Sequence, residues 1–391
     1  MRRALIPFAV ALVPLGAPAT AAAEDTVTLA LDRARAAYGT TVTATGTVTP
    51  GAEGATVVLE RLGAAGTWDA IATGTTDASG AFGVGFVAEA RGPVRARAEA
   101  SGALSGEQPL AVVPKVEVNE PRGRAFLGAR LVAYVAPLAY EGQVLVRVRK
   151  YDRVVGRASG NVVDGQLRVR IPTPGIGGFS VRLSFPAWAD VDAVNVFTRA
   201  RAGARTLSVG ARGSDVRALE KRLRHLHFRV SGVNTYFTHT TFDSVVAFQK
   251  AFGLPRTGVV GSRTWWTLGK VRGIRPRYTR PSPHIEVDKS RQILMVVRRG
   301  AVAATIPISS GATGNTPEGA FRILWKAPAT GTWLGSAILY RTMTFHGNFA
   351  IHGYSSVPVY PASHGCVRVP MWLADWLYDQ SPVGERIYIY P

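Results

Sequence analysis

A chain of 391 residues carrying 46 Lys and Arg against 26 Asp and Glu has a formal net charge of +20. At about 150 residues per domain, this length corresponds to roughly two to four modules, and a 47% hydrophobic share is ample for packed cores. The one cysteine, Cys366, excludes an intramolecular disulfide, and the lack of an aromatic-interleaved basic groove argues against nucleic acid as the partner of all that charge.

Residues 1–23 read as a signal peptide. Arg2 and Arg3 precede a short apolar run from Ala4 to Leu15, and Ala21-Ala22-Ala23 supply small residues for cleavage before Glu24 and Asp25. The run is short and broken by Pro7 and Pro14, a poor membrane span. No cysteine follows it, which excludes lipid attachment there. The expectation is export to the cell wall or periplasmic space, with no stable transmembrane segment after cleavage. In that compartment the charge points to anionic cell-wall polymers.

Two β-rich stretches follow, 24–113 and 114–203. Thr41 to Val48, Ala55 to Leu62, Ala81 to Val87 and Pro93 to Ala100 are strand candidates in the first, with a hairpin turn at Asp77-Ala78-Ser79-Gly80. In the second, Val144, Val146 and Val148 alternate with Leu145, Arg147 and Arg149, and Leu167, Val169 and Ile171 with Gln166, Arg168 and Arg170. Such alternation buries the valines and leaves the arginines on the solvated face. Strand spacing of this kind fits two small β-sandwiches. Both resemble bacterial immunoglobulin-like spacer modules, and neither shows a catalytic constellation.

The pattern changes to helical near Leu207. Val216, Leu219, Leu223 and Leu226 form one stripe, with Ser214 as the N-cap. A second helix is expected after Thr240 with Phe242, Val245, Phe248 and Phe252 inward, stopping at Gly253 and Pro255. A third, short helix follows Gly261-Ser262. Val209-Gly210 through Leu219, Val246-Ala247-Phe248-Gln249-Lys250 and Gly258-Val259-Val260-Gly261 resemble the peptidoglycan-binding helical module, over residues 206–270. His225 and His227 lie two apart and do not share a helix face, so no metal site is expected there. Residues 271–283, with Arg-Pro and Pro-Ser-Pro steps, read as an extended linker.

Strands resume at His284: Ile285 to Val287, Gln292 to Val297 and Ala301 to Ser309. A helix is expected over Pro370 to Gln380 and a last strand over Arg386 to Tyr390. Within this stretch Cys366 lies in Ser363-His364-Gly365-Cys366-Val367-Arg368, and a second histidine lies in Ile351-His352-Gly353. A thiolate is the reactive form of cysteine, and a nearby imidazole is the usual means of generating it. His352 is the preferred base. His364 either shares that role or shapes the turn. Gly353 and Gly365 permit close backbone approach, and N–H groups around Gly365 and Cys366 are candidate oxyanion donors. Ser363 either orients a histidine or caps the turn, and Arg368 either attracts a carboxylate or pairs with an acid. His346 is read as structural.

These two motifs, with Ile285-Glu286-Val287-Asp288 and Thr316-Pro317-Glu318-Gly319, resemble the L,D-transpeptidase catalytic domain of the YkuD type, over residues 284–391. The resemblance implies a mostly β domain and peptidoglycan stem peptides and glycan as partners. It also implies a reaction in which Cys366 attacks the carbonyl of the third stem residue, expels the terminal D-Ala and passes the acyl group to an amine. No cofactor is implied. The fold class expected is therefore multidomain and mainly β, with two β-sandwich modules, a small three-helix peptidoglycan-binding module and a mostly β catalytic domain. Hydrolysis by an L,D-carboxypeptidase, a non-catalytic wall-binding protein, a zinc site on Cys366, His352 and His364, and a papain-like protease are the rival readings. The zinc site lacks a nearby carboxylate at ligand spacing, and the protease lacks its downstream partners. Trp333 and Tyr340 are candidate lid residues.

Overall fold

The computed structural model describes residues 25–51, 53–327, 332–334 and 337–391. The signal-peptide reading of residues 1–23 and the side chain of Trp333 lie outside the described residues. The fold is multidomain and mainly β, with four helices among the described residues. Among the described residues no helix is long and apolar enough to cross a membrane.

The chain divides into two compact units, one reaching to Lys115 and including Ala187–Val194, the other made of Val116–Pro186 and Asn195–Pro391. In the first, a sheet centred on Thr41–Thr49 and Ala81–Val87 and a five-stranded sheet containing Thr56–Leu62 and Gly92–Ala98 supply Val42, Val57, Leu59, Phe86 and Val94 to the interior. Ala187–Val194, read in the sequence as part of the second β module, belongs to this unit. Asp192 donates its N–H to Val112 (2.6 Å) and pairs with Arg91 at 2.8 Å, contacts between residues far apart in sequence.

The second unit begins with an eight-stranded sheet. Its path closes on itself, because Gly128–Ala136 pairs both with Arg122–Arg124 and with Gln166–Ile171. Val144, Val146 and Val148 are buried and Arg147 and Arg149 exposed, the arrangement that period-two alternation dictates.

Three helices follow: α1 (Ser214–His225), α2 (His239–Ala251) and α3 (Ser262–Lys270). Gly213 rather than Ser214 occupies the cap of α1, without a side-chain cap bond. Asp215 in the first turn is held instead by Arg205 at 2.6 Å. Helix α2 starts before the expected point, because Thr238 and Thr241 form a capping box. Every residue from Ser244 to Ala251 is buried. One face of α2 meets α1 and another meets the strand Ala301–Pro307.

One hydrophobic core therefore serves two modules. Val216, Leu219, Phe228, Val245, Phe248 and Trp265 of the helical part share it with Ile293, Met295, Val302 and Tyr390 of the C-terminal part. Burying each such large side chain contributes about 1.5–3 kcal/mol, so the helical module is packed in place and is not a free tether. The intervening 271–283 carries no helix or strand, but the N–H groups of Arg277 and Tyr278 both donate to the Glu286 carboxylate at 2.8 Å. Glu286 is fully buried and also accepts from Tyr390 Oη at 2.7 Å.

Among the described residues the C-terminal part has two sheets. One runs in the order Ala301–Pro307, Ile293–Arg298, His284–Asp288, Arg386–Tyr390, Gly319–Arg322. The other contains Ala337–His346, Phe349–Tyr354 and Val367–Pro370. Helix α4 (Met371–Gln380) packs on it through Leu373, Ala374 and Leu377.

Candidate active site

Strand alternation decides what faces what. In Phe349–Tyr354, Ile351 points into the core beneath α4, and a Cβ on Gly353 would meet Ala374 at 2.7 Å and Tyr340 at 2.9 Å. Ala350, His352 and Tyr354 therefore point the other way. Val367–Pro370 pairs parallel with this strand, Ile351 opposite Val367 and His352 opposite Arg368. Val367 and Val369 are core residues, which puts Arg368, and Cys366 one step before the strand, on the face of His352. Cys366 is two positions along and one strand across from His352, diagonal neighbours on one face of the parallel pair.

The imidazole is 3% exposed. Its Nδ1 lies 3.0 Å from the Gly353 carbonyl oxygen, which selects the tautomer with the proton on Nδ1 and the lone pair on Nε2. Burial drives its pKa below the ordinary histidine value, against the Gly353 bond, and the Arg368 charge pushes the same way as burial. Burial raises the Cys366 thiol above the usual range, while the Ala350 N–H and Arg368 oppose that shift. Both shifts favour the neutral form, thiol and imidazole alike, at neutral pH. The thiol hydrogen points to the Asn348 carbonyl, 3.6 Å away.

The turn carrying the cysteine is held from both sides. Ser363 Oγ donates to the Cys366 carbonyl at 2.5 Å and accepts the Gly365 N–H at 3.0 Å, so it caps the turn and does not orient a histidine. That bond also engages Gly365 N–H, which leaves the N–H groups of His364 and Cys366 as the candidate oxyanion donors on this turn. From outside, Thr316 Oγ1 donates to the Gly365 carbonyl (2.7 Å) and Asn315 Nδ2 to that of His364 (2.8 Å). Gly365 has φ +133°, and a Cβ there would lie 2.4 Å from the Phe349 ring. Both facts require glycine.

The remaining sequence candidates separate clearly. His364 is exposed, and the structure ties only its carbonyl to a support. Arg368 lies 4.3 Å over the Tyr354 ring and has no carboxylate partner among the described residues. Gly353 acts through its carbonyl, its α-carbon facing α4. Tyr340 bonds Asp375 of α4 at 2.8 Å, on the side away from His352. His346 packs on Phe321 and Phe349. Sequence reasoning gave no role to Tyr354, Asn315, Thr316 or Asn348. Alternation from His352 could have found Tyr354, and Thr316 stands in the Thr316-Pro317-Glu318-Gly319 motif; nothing local signals Asn315 or Asn348. Among the described residues no group of three or more His, Cys, Asp or Glu is placed to hold a metal ion.

Comparison with known proteins now adds to this geometry. Residues 282–389 match the L,D-transpeptidase catalytic domain model and residues 212–268 the peptidoglycan binding domain model. A solved L,D-transpeptidase fragment from Xylanimonas cellulosilytica is 35% identical over 98% of its own chain and 48% of this one, with a TM-score of 0.45. The chain belongs to the L,D-transpeptidase family. The Stackebrandtia nassauensis family structure is 21% identical, covering 95% of its chain and 47% of this one (TM-score 0.32). An L,D-transpeptidase from Mycobacterium smegmatis is 14% identical over 97% of its chain and 71% of this one (TM-score 0.25). No curated protein sequence matches the chain. The two matched domains mark a cell-wall enzyme.

Proposed function

We propose that this is an exported L,D-transpeptidase that forms 3–3 peptidoglycan cross-links through a thioester on Cys366. The observation that carries the reading is His352, its tautomer set by the Gly353 carbonyl and its ring on the face of Cys366. His352 Nε2 takes the thiol proton as sulfur attacks the carbonyl of the third stem residue. The N–H groups of the turn receive the oxyanion, each such donor contributing about 3 kcal/mol. The imidazolium then protonates the departing D-Ala amine. In the second half-reaction an amine of a neighbouring stem attacks the thioester, with His352 again taking the proton, and the thiol is regenerated. Arg368, without a carboxylate of its own, offers a bidentate fork to a stem carboxylate.

The packed helical module supports a wall polymer as the substrate, since it places a peptidoglycan-binding fold and the thiol in one unit. Product analysis tests the reading. Incubation of the purified enzyme with tetrapeptide muropeptides should yield 3–3 linked dimers and free D-Ala. Tripeptide monomers as the sole product would replace transfer by hydrolysis, the activity of an L,D-carboxypeptidase.

A further inference from the structure

The second β module, 116–186 with 195–203, holds thirteen Lys and Arg against five Asp and Glu. Their placement is more specific than a diffuse charge. Arg147 lies directly opposite Arg157 on one neighbouring strand and Arg182 on the other, and Arg149 follows two residues along the same face. Strands lie about 4.8 Å apart, so three guanidinium stems leave the sheet within about 10 Å of one another. Like charges directly opposite destabilise a sheet. Among the described residues none of these four arginines has a carboxylate partner; Arg182 Nε donates to the neutral Asn195 Oδ1 at 3.0 Å. A sequence that only needed solubility would intersperse the signs.

The same face is concave. A groove of about 350 Å³ is lined by Arg147, Arg149, Arg182, Ser180 and Phe197, with Asp152 its one carboxylate; Arg157 stands outside it, at the end of the row, beside a second depression that Arg170 also lines. Phe197 is 69% exposed and gives the groove an apolar rest. A row of closely spaced forks calls for a ligand with an anion on each monomer, and guanidinium matches phosphate oxygens bidentately. Stem-peptide carboxylates, borne on separate branches, do not supply such a line.

We propose that this face of the second β module binds a phosphodiester-linked polymer of the cell wall, the chain lying across the strands along Arg182, Arg147 and Arg157. The choice of polymer rests on the wall location proposed above; the site itself does not depend on the catalytic reading. It gives the protein a second wall contact beside its peptidoglycan-binding module, and two linked contacts retain a protein far better than either alone.

The test uses the full chain and fluorescently labelled long-chain inorganic polyphosphate, followed by anisotropy at several salt concentrations. The triple variant Arg147→Gln, Arg157→Gln, Arg182→Gln should bind at least tenfold more weakly, with a shallower salt dependence. The single variant Arg147→Gln should lose at least threefold. A control triple at exposed, scattered positions, Arg33→Gln, Arg272→Gln, Arg280→Gln, removes the same charge and should change binding less than twofold. Thermal midpoints of the arginine-row variants should be unchanged or raised, because repulsion is relieved, and acylation of Cys366 should be unaffected. Equal weakening by both triples would reduce the effect to net charge and overturn the site. Tighter binding of polyglutamate of equal charge would overturn the phosphate-polymer assignment, and tighter binding of a single-stranded oligodeoxynucleotide, itself a phosphodiester polymer, would overturn the cell-wall source of the ligand. Failure of acylation in the wild type, with polyphosphate binding intact, would count against the catalytic reading alone.

Discussion

His352→Ala is expected to slow acylation of Cys366 by a stem-peptide donor at pH 7 by about 10²- to 10⁴-fold, the usual contribution of a positioned general base. The pH dependence separates loss of a base from loss of shape. In the wild type, burial and Arg368 hold His352 below the ordinary histidine pKa, so the ring is neutral and able to accept a proton throughout the neutral range. The rate should rise with pH on the acid side of neutrality and then stay level. Without the ring, attack depends on the small thiolate fraction of a cysteine whose pKa burial has raised. The variant's rate should therefore keep rising with pH through and beyond the usual thiol range, and the gap to wild type should narrow. A deficit of constant size at every pH would mean that His352 supports the fold of the site without acting as its base. Stopped-flow acylation rates from pH 5 to 10 give both curves.

The second large effect concerns a residue remote from the thiol. Lys250 of α2 is 1% exposed and donates to the Ile308 carbonyl at 2.7 Å. One residue further, Ser309 exchanges backbone hydrogen bonds with Arg368. Burial pushes the Lys250 pKa down from 10.5 to about 7; Arg256 acts in the same direction and Asp243 opposes it. Between about pH 7 and 10.5 the unfolded chain holds a proton that the folded chain has lost. Stability then rises with pH, by about 1.4 kcal/mol per unit, and below this window the slope vanishes. Lys250→Met should abolish that contribution. Met leaves the Ile308 carbonyl without its donor, at a cost of about 1–3 kcal/mol, and removes a charge that is expensive to bury. The variant should match or exceed wild type at pH 6.5 and fall clearly below it at pH 9.5. Parallel stability curves for the two proteins, from urea titrations at several pH values, would contradict the assignment.

The chemistry of the site was more legible than its support. Cys366 and His352 stand out by residue type and neighbours, and period-two alternation alone puts His352 opposite to Ile351 and Gly353. The stripe Val216, Leu219, Leu223 marks the buried face of α1 because that helix has one dry side. Helix α2 has more than one, since the strand Ala301–Pro307 covers a face that would otherwise be solvated. Gln249 and Lys250 look like surface residues in sequence and are buried for that reason. Gln249 answers its burial with bonds to the Val259 carbonyl and the Gly258 N–H. The roles of Asn315 and Thr316 were hidden because they reach the cysteine turn from about fifty residues away, and loop-to-loop contacts leave no periodicity. The same holds for the segment Ala187–Val194 and for the pairing that closes the second β sheet. Both are set by long-range register, which no local pattern encodes.

Arg368 and Tyr354 show an intermediate case. Their identities are plain in the sequence, but their meeting depends on the parallel pairing of two short strands. That pairing also sets Cys366, His352 and Arg368 on one face, so the placement of thiol, ring and guanidinium has a single structural origin.

The most direct test is the intact mass of the enzyme, quenched during turnover of a tetrapeptide-stem donor and digested to locate the adduct. The account predicts a mass increase equal to the donor less D-Ala, carried by the peptide containing Cys366 and missing from Cys366→Ala. Cross-linked product formed at the wild-type rate by Cys366→Ala, or an adduct at any other residue, would contradict it.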